Sequence, residues 1–350
     1  MNAIRQLLAA AAIAAAASSA SAFEYDITTT LAVPDSTTIY LSCESELLDS
    51  TLTYGGKARF TGSFPRQAMA SIFEPKSRKS LALVLDQTPL QANMLTGEVT
   101  GKSDLNKKLA ELQALLSNFE KNAQEYQASN PGLSREQVYE TVRRQVISTL
   151  LATIRTNPDN GLGEYALKTY LPACPNAEWP ELYLTLSDYQ RNLAPVKLKQ
   201  MEFEATANTA VGKKFIDFEA RNPDGTSARL SDYVGKGKYV LADFWASWCG
   251  PCRREGKDTL MPLYERIKDS DSVTILGITV WDKAEASLNA IGQSGYKWPQ
   301  LIDASADATS LYGIKGIPQI MLFGPDGTIL ARDLRGTAIT EELRKYNILK

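Results

Sequence analysis

Two cysteines separated by two residues are the part of the sequence whose spacing points most directly to chemistry. Cys249 and Cys252 flank Gly250 and Pro251, after a continuous apolar run and at the predicted start of a helix. Unpaired backbone N–H groups and the positive end of the helix dipole stabilise a thiolate there. A free cysteine has a pKa of about 8.5, whereas a Cys-X-X-Cys cysteine with a pKa of about 7 is half ionised at neutral pH. The second sulfur, one helical turn on, can then resolve a mixed disulfide.

Other uses of this cysteine pair fit the sequence less well. A zinc site would need two further ligands, but the chain has no histidine, and Cys43 and Cys174 are isolated. A purely structural disulfide across a two-residue loop would gain little chain entropy. The sequence therefore predicts a redox-active Cys249–Cys252 disulfide, with no metal and no further cofactor.

Composition limits what else the chain can do. It has 350 residues, 44% of them hydrophobic, a net charge of −2 and no histidine. The length indicates two or three domains, and the charge provides no basic surface for nucleic acid. Without histidine there is no Ser–His–Asp triad, no Cys–His dyad and no imidazole proton carrier. Any catalysis therefore depends on carboxyl groups, cysteines, lysines, hydroxyl groups or a cofactor.

Residues 1–22 have the pattern of a secretory signal peptide. Arg5 precedes an alanine-rich apolar run, and the run ends in Ala20-Ser21-Ala22, which fits the rule for a signal peptidase site. No cysteine lies at the cleavage point for lipid attachment, and no later segment is long and apolar enough to span a bilayer. We expect a periplasmic or otherwise extracytoplasmic protein, soluble after cleavage near Ala22, in a compartment where disulfides persist.

The next two regions differ in their periodicity. Residues 23–102 contain short Thr-, Val- and aromatic-rich runs between turn residues, which predicts a small antiparallel β-sandwich or barrel with a hairpin at Gly55-Gly56. Residues 103–205 repeat apolar residues at three- and four-residue steps, and Ser134 and Gln137 form a capping box, which predicts a helical region. The helical region has no concentrated polar chemistry.

From residue 206 to residue 350 the pattern alternates strands with helices. Apolar runs at 239–245 and 273–280 indicate buried strands, and two later runs flank a turn at 324–327. Strand–helix–strand order followed by a hairpin predicts an α/β sheet with an antiparallel edge.

Two motifs of this last region resemble the thioredoxin family. The segment 243–253, DFWASWCGPCR, resembles the thioredoxin active site, and Gly316-Ile317-Pro318 resembles its cis-proline loop. The surrounding frame, roughly 207–348, is similar to the extracytoplasmic thiol–disulfide oxidoreductases of the TlpA/ResA type. Residues 23–105 more weakly resemble a β-rich domain of unknown function that precedes such modules in exported bacterial proteins. The resemblance implies a thioredoxin fold and thiol–disulfide oxidoreductase activity for 206–350.

The resemblance also assigns roles to individual residues. It implies that Cys249 is the attacking thiolate and Cys252 the resolving thiol, with Asp243 and Glu255 as proton-carrying acids. A buried carboxyl group at Asp243 would have a raised pKa, because burial disfavours the charged form. It also implies a cis peptide bond before Pro318. The residues that it implies for substrate binding are Trp248, Gly250, Pro251, Ile317 and Pro318.

Some positions depart from the patterns of related families. Lys257, after Gly256, stands where the family has a helix-kinking proline, so we expect the first helix to run straighter or to flex at the glycine. Gly277 stands where thioredoxin has a lysine near the buried acid, and this removes a group that would lower the pKa of Asp243. Ala246 stands where peroxiredoxins have Thr or Ser, which argues against a peroxidase.

The direction of electron flow is inferred from the residues between the two cysteines. Strong oxidants of the DsbA type have histidine there, whereas Gly250-Pro251 is the dipeptide of reducing thioredoxins. The resemblance thus implies a reduction potential of roughly −270 to −180 mV. We expect disulfides of exported proteins as substrates and a polytopic membrane thiol reductase as electron donor. The alternatives are a disulfide isomerase, or a partner-binding module with an accessory redox domain.

Cys43 and Cys174 are the other two cysteines, and the sequence leaves open whether they form a disulfide. A bridge between them would close a long loop and stabilise the fold, and export favours pairing. Two buried thiols, or a redox role, are also compatible with the sequence, because spacing alone does not show whether the two Cα atoms lie close together.

Overall fold

The computed structural model describes residues 22–43, 46–87, 89–304 and 306–349. The predicted signal peptide lies outside these residues, apart from Ala22. The chain divides into two compact units between Lys197 and Leu198. In the part of the chain that is described, no helix has the length and apolar character needed to cross a membrane.

Strands form the first part of the first unit. Within the described residues they are β1 (Phe23–Thr30), β2 (Thr38–Cys43), β3 (Glu46–Leu52), β4 (Lys57–Phe64), β5 (Met69–Glu74), β6 (Lys79–Val84), β7 (Leu90–Asn93) and β8 (Glu98–Thr100). One sheet has the order β4-β1-β7-β8 and the other the order β3-β2-β5-β6. Alternate residues of both sheets, such as Ile27, Ile39 and Phe60, share one core, because successive strand side chains point to opposite faces. The β-rich region is therefore a sandwich.

Strand pairing refines one expectation for this sandwich and corrects another. The predicted hairpin turn at Gly55 and Gly56 is closed by Tyr54 and Lys57, whose backbone groups exchange hydrogen bonds of 2.8 and 3.0 Å. Beyond this turn the two strands separate, because β3 pairs with β2 and β4 pairs with β1. Both glycines have positive φ, and their turn carries the chain from one sheet to the other. The sandwich is also not wholly antiparallel, since Ile27 of β1 pairs with Leu90 of β7 in a parallel register. The parallel pair arises because β5 and β6 lie in the other sheet before the chain returns at β7.

Helices follow the sandwich. They are α1 (Leu105–Ser117), α2 (Phe119–Ser129), α3 (Arg135–Thr156), α4 (Gly161–Tyr170), α5 (Trp179–Thr185), α6 (Asp188–Asn192) and α7 (Ala194–Asn208). The predicted capping box begins α3: the Gln137 N–H donates to Ser134 Oγ at 3.2 Å, and the Ser134 N–H donates to Gln137 Oε1 at 2.8 Å. This pair satisfies two N–H groups that the first turn of the helix cannot use.

Cys43 and Cys174 are two buried thiols in the first unit rather than a disulfide. Cys43 ends β2, and Cys174 follows a 3₁₀ turn at Leu171–Ala173. Burial, together with the negative charge of Glu164, raises the pKa of Cys43 to about 11. A thiol with so high a pKa is almost entirely protonated at neutral pH, and is a poor nucleophile. The environment of Cys43 therefore favours a packing role over a redox role.

The predicted domain boundary at residue 206 falls inside a helix. Helix α7 continues to Asn208, and the second compact unit begins within it, at Leu198. Arg332 Nη1 donates to the carbonyl oxygen of Thr209 at 2.6 Å, which ties the residue after α7 to the second unit. The sequence did not reveal this boundary, because no turn residue interrupts the helical pattern there.

Strands and helices alternate in the second unit, as the sequence predicts. The strands are β9 (Glu219–Arg221), β10 (Ser227–Arg229), β11 (Tyr239–Trp245), β12 (Val273–Thr279), β13 (Gln300–Leu301), β14 (Gln319–Phe323) and β15 (Ile329–Ala331). The helices are α8 (Gly250–Glu255), α9 (Met261–Ile267), α10 (Ala284–Ser294), α11 (Ala306–Leu311) and α12 (Thr337–Lys345).

The main sheet of this unit has the order β13-β12-β11-β14-β15. Strands β11, β12 and β13 are parallel, whereas β14 and β15 form the predicted antiparallel edge. Both faces of β11 are buried, with Phe244 in the core on one side and Leu241 in the core on the other. This is a thioredoxin-like fold, and it places the end of a fully buried central strand directly before Cys249.

Gly313 packs closely against the part of α7 that belongs to the second unit. It has a φ of 61°, and a β-carbon there would lie 2.4 Å from Thr206 Oγ1 and 3.2 Å from the Glu202 carbonyl oxygen. We expect Gly313→Ala to lower the free energy of unfolding by about 1–3 kcal/mol in urea denaturation, from left-handed backbone strain and overpacking.

Gly292 provides the matched control. It lies within α10. A β-carbon at this position would meet no described atom within 4 Å, apart from the adjoining residues and the backbone of its own helix. We expect Gly292→Ala to stabilise the protein by about 0.5–1 kcal/mol, because alanine favours the helix interior. Equal urea midpoints for the two variants would contradict this account of the α7 contact.

Candidate functional site

The two cysteines lie at the start of α8, immediately beyond the carboxyl end of β11. Cys249 is the N-cap residue, and its Sγ accepts a hydrogen bond from the Cys252 backbone N–H at 3.1 Å. Gly250 and Pro251 occupy the first two helical positions, where a missing proline N–H leaves no intrahelical bond unmade. The sulfurs of Cys249 and Cys252 form a disulfide with a Cα–Cα distance of 5.3 Å. The disulfide therefore lies where the backbone provides N–H donors for a sulfur anion.

The loop before β14 faces this disulfide. The carbonyl oxygen of Ile317 lies 3.8 Å from Cys249 Sγ, and the Ile317–Pro318 peptide bond is cis. Pro318 is buried and Ile317 half-buried, while Cys249 is only 3% exposed. The structure thus brings the two sequence motifs, separated by more than sixty residues, to a single edge of the sheet.

Two tryptophans form an exposed apolar rim beside the disulfide. The side chains of Trp248 and Trp281 are 62% and 45% exposed. The indole N–H of Trp248 donates to the Trp281 carbonyl oxygen at 3.0 Å, and that of Trp281 donates to Thr309 Oγ1 at 3.2 Å. Trp281 has a φ of 55°, which is uncommon for a bulky residue. Sequence reasoning identified Trp248 but not Trp281 as part of this surface.

Asp282 holds the loop that carries Trp248, although the sequence did not single it out. Its carboxylate accepts hydrogen bonds from the Ser247 backbone N–H at 2.6 Å and from Ser247 Oγ at 3.0 Å. Ser287 Oγ of α10 donates to the same carboxylate at 3.2 Å. Because β11 and β12 are parallel, their carboxyl ends meet at the same edge of the sheet. A polar residue just after β12 is the signal that could have identified Asp282.

Asp243, the acid that the resemblance singled out, lies buried in β11, two residues before the end of the strand that leads to Cys249. It is 3% exposed, and its Oδ1 has no hydrogen-bond partner among the described residues. Burial raises the pKa of Asp243 to about 7; the charge of Arg335 opposes this rise and that of Glu255 adds to it. A carboxyl group with this pKa can take up and release a proton near neutral pH.

Glu255 is half-buried near the end of α8. Its Oε1 accepts a hydrogen bond from the backbone N–H of Gly336 at 2.9 Å, directly before α12. The carboxylate is thus fixed by a partner rather than extended into solvent. The effects of Glu255 and Arg335 on the pKa of Asp243 place both charges within electrostatic reach of that acid, and sequence reasoning missed Arg335.

The helix changes its geometry at the position where the family proline is missing. A π-helical turn, Gly256–Leu260, separates α8 from α9, and Lys257 is exposed on it. A β-carbon at Gly256 would lie 2.1 Å from the hydroxyl oxygen of Tyr296. Of the two expectations for this helix, the change at the glycine therefore matches the structure. Single π turns inside helices often occur at functional sites.

Gly277 lies directly opposite Asp243 in the sheet, and Gln300 of β13 is its partner on the other side. A β-carbon at Gly277 would lie 2.0 Å from Gln300 Oε1, which in turn accepts a hydrogen bond from the indole N–H of Trp245 at 3.2 Å. The glutamine side chain therefore occupies the space above the glycine.

These residues form a site suited to two-electron exchange between sulfur atoms. Of the predicted site residues, the structure places those of 248–252 and 317–318 around the disulfide, Glu255 at the end of α8 and Asp243 in β11. In the described ranges, no group of three or more His, Cys, Asp or Glu residues could hold a metal ion.

Comparison with known proteins gives relatives of the second unit. A sequence model of the AhpC/TSA family matches residues 211–332. Thiol-disulfide oxidoreductase ResA of Geobacillus thermodenitrificans is 32% identical over 148 residues, which are 41% of this chain and 79% of the relative. ResA of Bacillus cereus is 28% identical over 149 residues, covering 43% of this chain and 83% of the relative.

One solved structure similar to this chain is the thioredoxin domain of a thiol-disulfide oxidoreductase from Bacteroides vulgatus. It is 33% identical, with a TM-score of 0.36, and the match covers 39% of this chain and 97% of that domain. The sequence relatives decide the assignment, because the Geobacillus protein is more than 30% identical over most of its length. This chain therefore belongs to the ResA family of thiol–disulfide oxidoreductases, and its second unit is the thioredoxin-like oxidoreductase domain.

Proposed function

We propose that the protein reduces disulfides of exported proteins through the Cys249–Cys252 pair, outside the cytoplasm. The observation that carries the proposal is the position of Cys249 at a helix N-terminus, with its sulfur 3.8 Å from the Ile317 carbonyl oxygen. A substrate segment that approaches this edge would meet the nucleophile and exposed backbone together.

The reaction transfers two electrons from the enzyme to the substrate. The Cys249 thiolate attacks one sulfur of the substrate disulfide, forms a mixed disulfide and releases the first substrate thiolate, which takes a proton from solvent. Cys252 then loses its proton and attacks Cys249 Sγ, which releases the second substrate thiolate. The enzyme ends as the Cys249–Cys252 disulfide, and the substrate ends as two thiols.

Asp243 is the proposed acceptor of the Cys252 proton. With a pKa of about 7, its carboxylate is present in quantity at neutral pH and is basic enough to take a proton from a thiol. Glu255 is the second proposed proton carrier; its bond to the Gly336 N–H fixes it at the start of α12, and its charge acts on Asp243. The chain has no histidine to replace them.

The substrate-binding edge is proposed to comprise backbone and apolar groups. The Ile317 backbone beside Pro318 would pair with an extended substrate segment, as an edge strand does. Trp248 would cover the neighbouring apolar part of the substrate, while Gly250 and Pro251 leave the helix start unobstructed: a β-carbon at Gly250 would meet only Arg254, at 3.9 Å.

Turnover as a reductase needs an external source of electrons. We propose a polytopic membrane thiol reductase that reduces the Cys249–Cys252 disulfide by the same exchange in reverse. The alanine-rich leader with its Ala20-Ser21-Ala22 site supports export. No cofactor besides the disulfide is proposed.

A trapping experiment tests the exchange reaction. Reduced Cys252→Ser should form a stable one-to-one mixed disulfide with oxidised insulin, visible by intact mass and released by dithiothreitol, because the resolving thiol is gone. In the control, Cys249→Ser should form no adduct, since it removes the sulfur at the N-cap, the one that accepts a hydrogen bond from a backbone N–H of the helix. Absence of an adduct with Cys252→Ser would contradict the proposal.

The reduction potential tests the direction of electron flow. Equilibration of the full chain with glutathione buffers, followed by alkylation and mass analysis, should give a value of roughly −270 to −180 mV. The physical reason is that Gly250-Pro251 provides no cation to stabilise the reduced thiolate strongly. A value of about −120 mV would assign the protein as an oxidant instead.

The pH profile tests the role of Asp243. The rate at which wild-type protein resolves its mixed disulfide should rise through an inflection near the pKa of Asp243, about 7. Asp243→Asn should abolish that inflection and slow resolution by roughly 10²-fold, a typical loss for a general base. Stopped-flow tryptophan fluorescence follows the step, and an unchanged profile in Asp243→Asn would remove Asp243 from the mechanism.

A further inference from the structure

Asp243 and Gln300 carry two polar atoms that the fold leaves without partners in the same part of the core. Both residues are 3% exposed, and both Asp243 Oδ1 and Gln300 Nε2 lack a hydrogen-bond partner among the described residues. Unpartnered polar atoms are uncommon in protein cores, because burying such a group without a hydrogen bond is unfavourable. Two of them near a reactive disulfide call for a physical explanation.

The sheet places these atoms side by side. Asp243 pairs with Gly277, and Gly277 pairs with Gln300, so the three residues form one row on one face of the sheet. A β-carbon at Gly277 would lie 2.7 Å from Gln300 Nε2. Since neighbouring strands are about 4.8 Å apart, the Gln300 amide over Gly277 lies about one strand spacing from the Asp243 backbone, within reach of its side chain.

Trp245 fixes which end of the amide is free. Its indole N–H can only donate a hydrogen bond, and it donates to Gln300 Oε1 at 3.2 Å. The amide oxygen must therefore face Trp245, which leaves the NH₂ group as the free end. The row thus contains one donor without an acceptor, on Gln300, and one acceptor without a donor, on Asp243.

We propose that Gln300 is a positioning residue for the redox reaction, whose amide NH₂ donates to Asp243 Oδ1 when that carboxyl group is ionised. The proposal rests on the proposed function for its consequence, which is to tune the acid that accepts the Cys252 proton. The Gln300 side chain thereby occupies the space above Gly277, the position at which thioredoxin has a lysine. The amide provides a neutral dipole there, whereas the lysine would provide a positive charge.

The other polar groups facing Asp243 are accounted for. Arg335 and Glu255, from the segments at α12 and α8, oppose each other in their effect on its pKa. Tyr296, whose hydroxyl group lies over Gly256, has a pKa raised mainly by burial and further by the charge of Asp243. None of these groups bonds to Oδ1 within the described residues, and Thr279 Oγ1 and Trp298 Nε1 are also buried without a partner there. Of the donors without partners, the Gln300 amide is the one held directly over Gly277, the sheet neighbour of Asp243.

Carbon-13 NMR of the aspartate carboxyl groups tests the proposal on the full-length, oxidised protein. The Asp243 signal is assigned by its loss in Asp243→Asn, and its titration is followed from pH 5 to pH 10. Gln300→Met removes the donor at nearly constant volume. We expect it to raise the Asp243 midpoint by about one pH unit, because hydrogen bonding favours the charged form. The inflection of mixed-disulfide resolution should move in the same direction.

Gln319→Met is the matched control. Gln319 is also buried, and its Nε2 likewise has no partner among the described residues. It pairs with Phe244, however, and so points to the opposite face of the sheet from Asp243. We expect the Asp243 midpoint to be unchanged in this variant. A midpoint that moves equally in both variants would overturn the proposal, since loss of any buried amide would then suffice.

Gln300→Asn covers the case in which Gln300→Met does not fold. It keeps the amide but shortens the side chain by one methylene, so one group cannot reach both Trp245 and Asp243. We expect the same upward shift. A folded Gln300 variant that titrates as wild type would overturn the assignment. Failure of wild-type protein to reduce insulin would instead overturn the proposed function, because the titration does not depend on activity.

Discussion

The free energy of burying the Asp243 carboxyl group constrains the structure around the disulfide. An ionised carboxylate in an apolar core without a partner is strongly unfavourable, so the group titrates near neutral pH rather than near 4. The sheet surrounds it with a glycine on one side and Ile320 on the other. The nearby charges, Arg335 and Glu255, act in opposite directions. The result is a buried acid, in the strand that leads to Cys249, whose pKa lies near neutrality.

The rest of the site is organised by the edge at which the strands end. The carboxyl ends of β11 and β12 and the start of β14 bring Cys249, Asp282 and Ile317 together. Asp282 fixes the loop before Cys249 through Ser247, and that loop presents Trp248. Preorganisation of this kind matters because a reactive sulfur must meet its substrate in one geometry.

Family departures in the sequence correspond to local adjustments in the structure. The missing proline after Cys252 coincides with a π-helical turn at Gly256, over which Tyr296 packs. Gly277 of β12 stands where thioredoxin has a lysine, and the Gln300 side chain fills the space above this glycine. In both places a glycine admits a side chain from a distant segment.

The sequence by itself determined the reactive motif, the α/β alternation of the second unit and the capping box of α3. These features depend on short-range spacing and periodicity, which a linear sequence displays directly. It did not determine the path of the chain at Gly55–Gly56, the parallel pairing of β1 with β7, or the unit boundary inside α7. Only the tertiary structure brought Asp282 to Ser247, Gln300 to Trp245 and the charge of Arg335 within reach of Asp243, because the order of strands and helices decides which distant residues become neighbours.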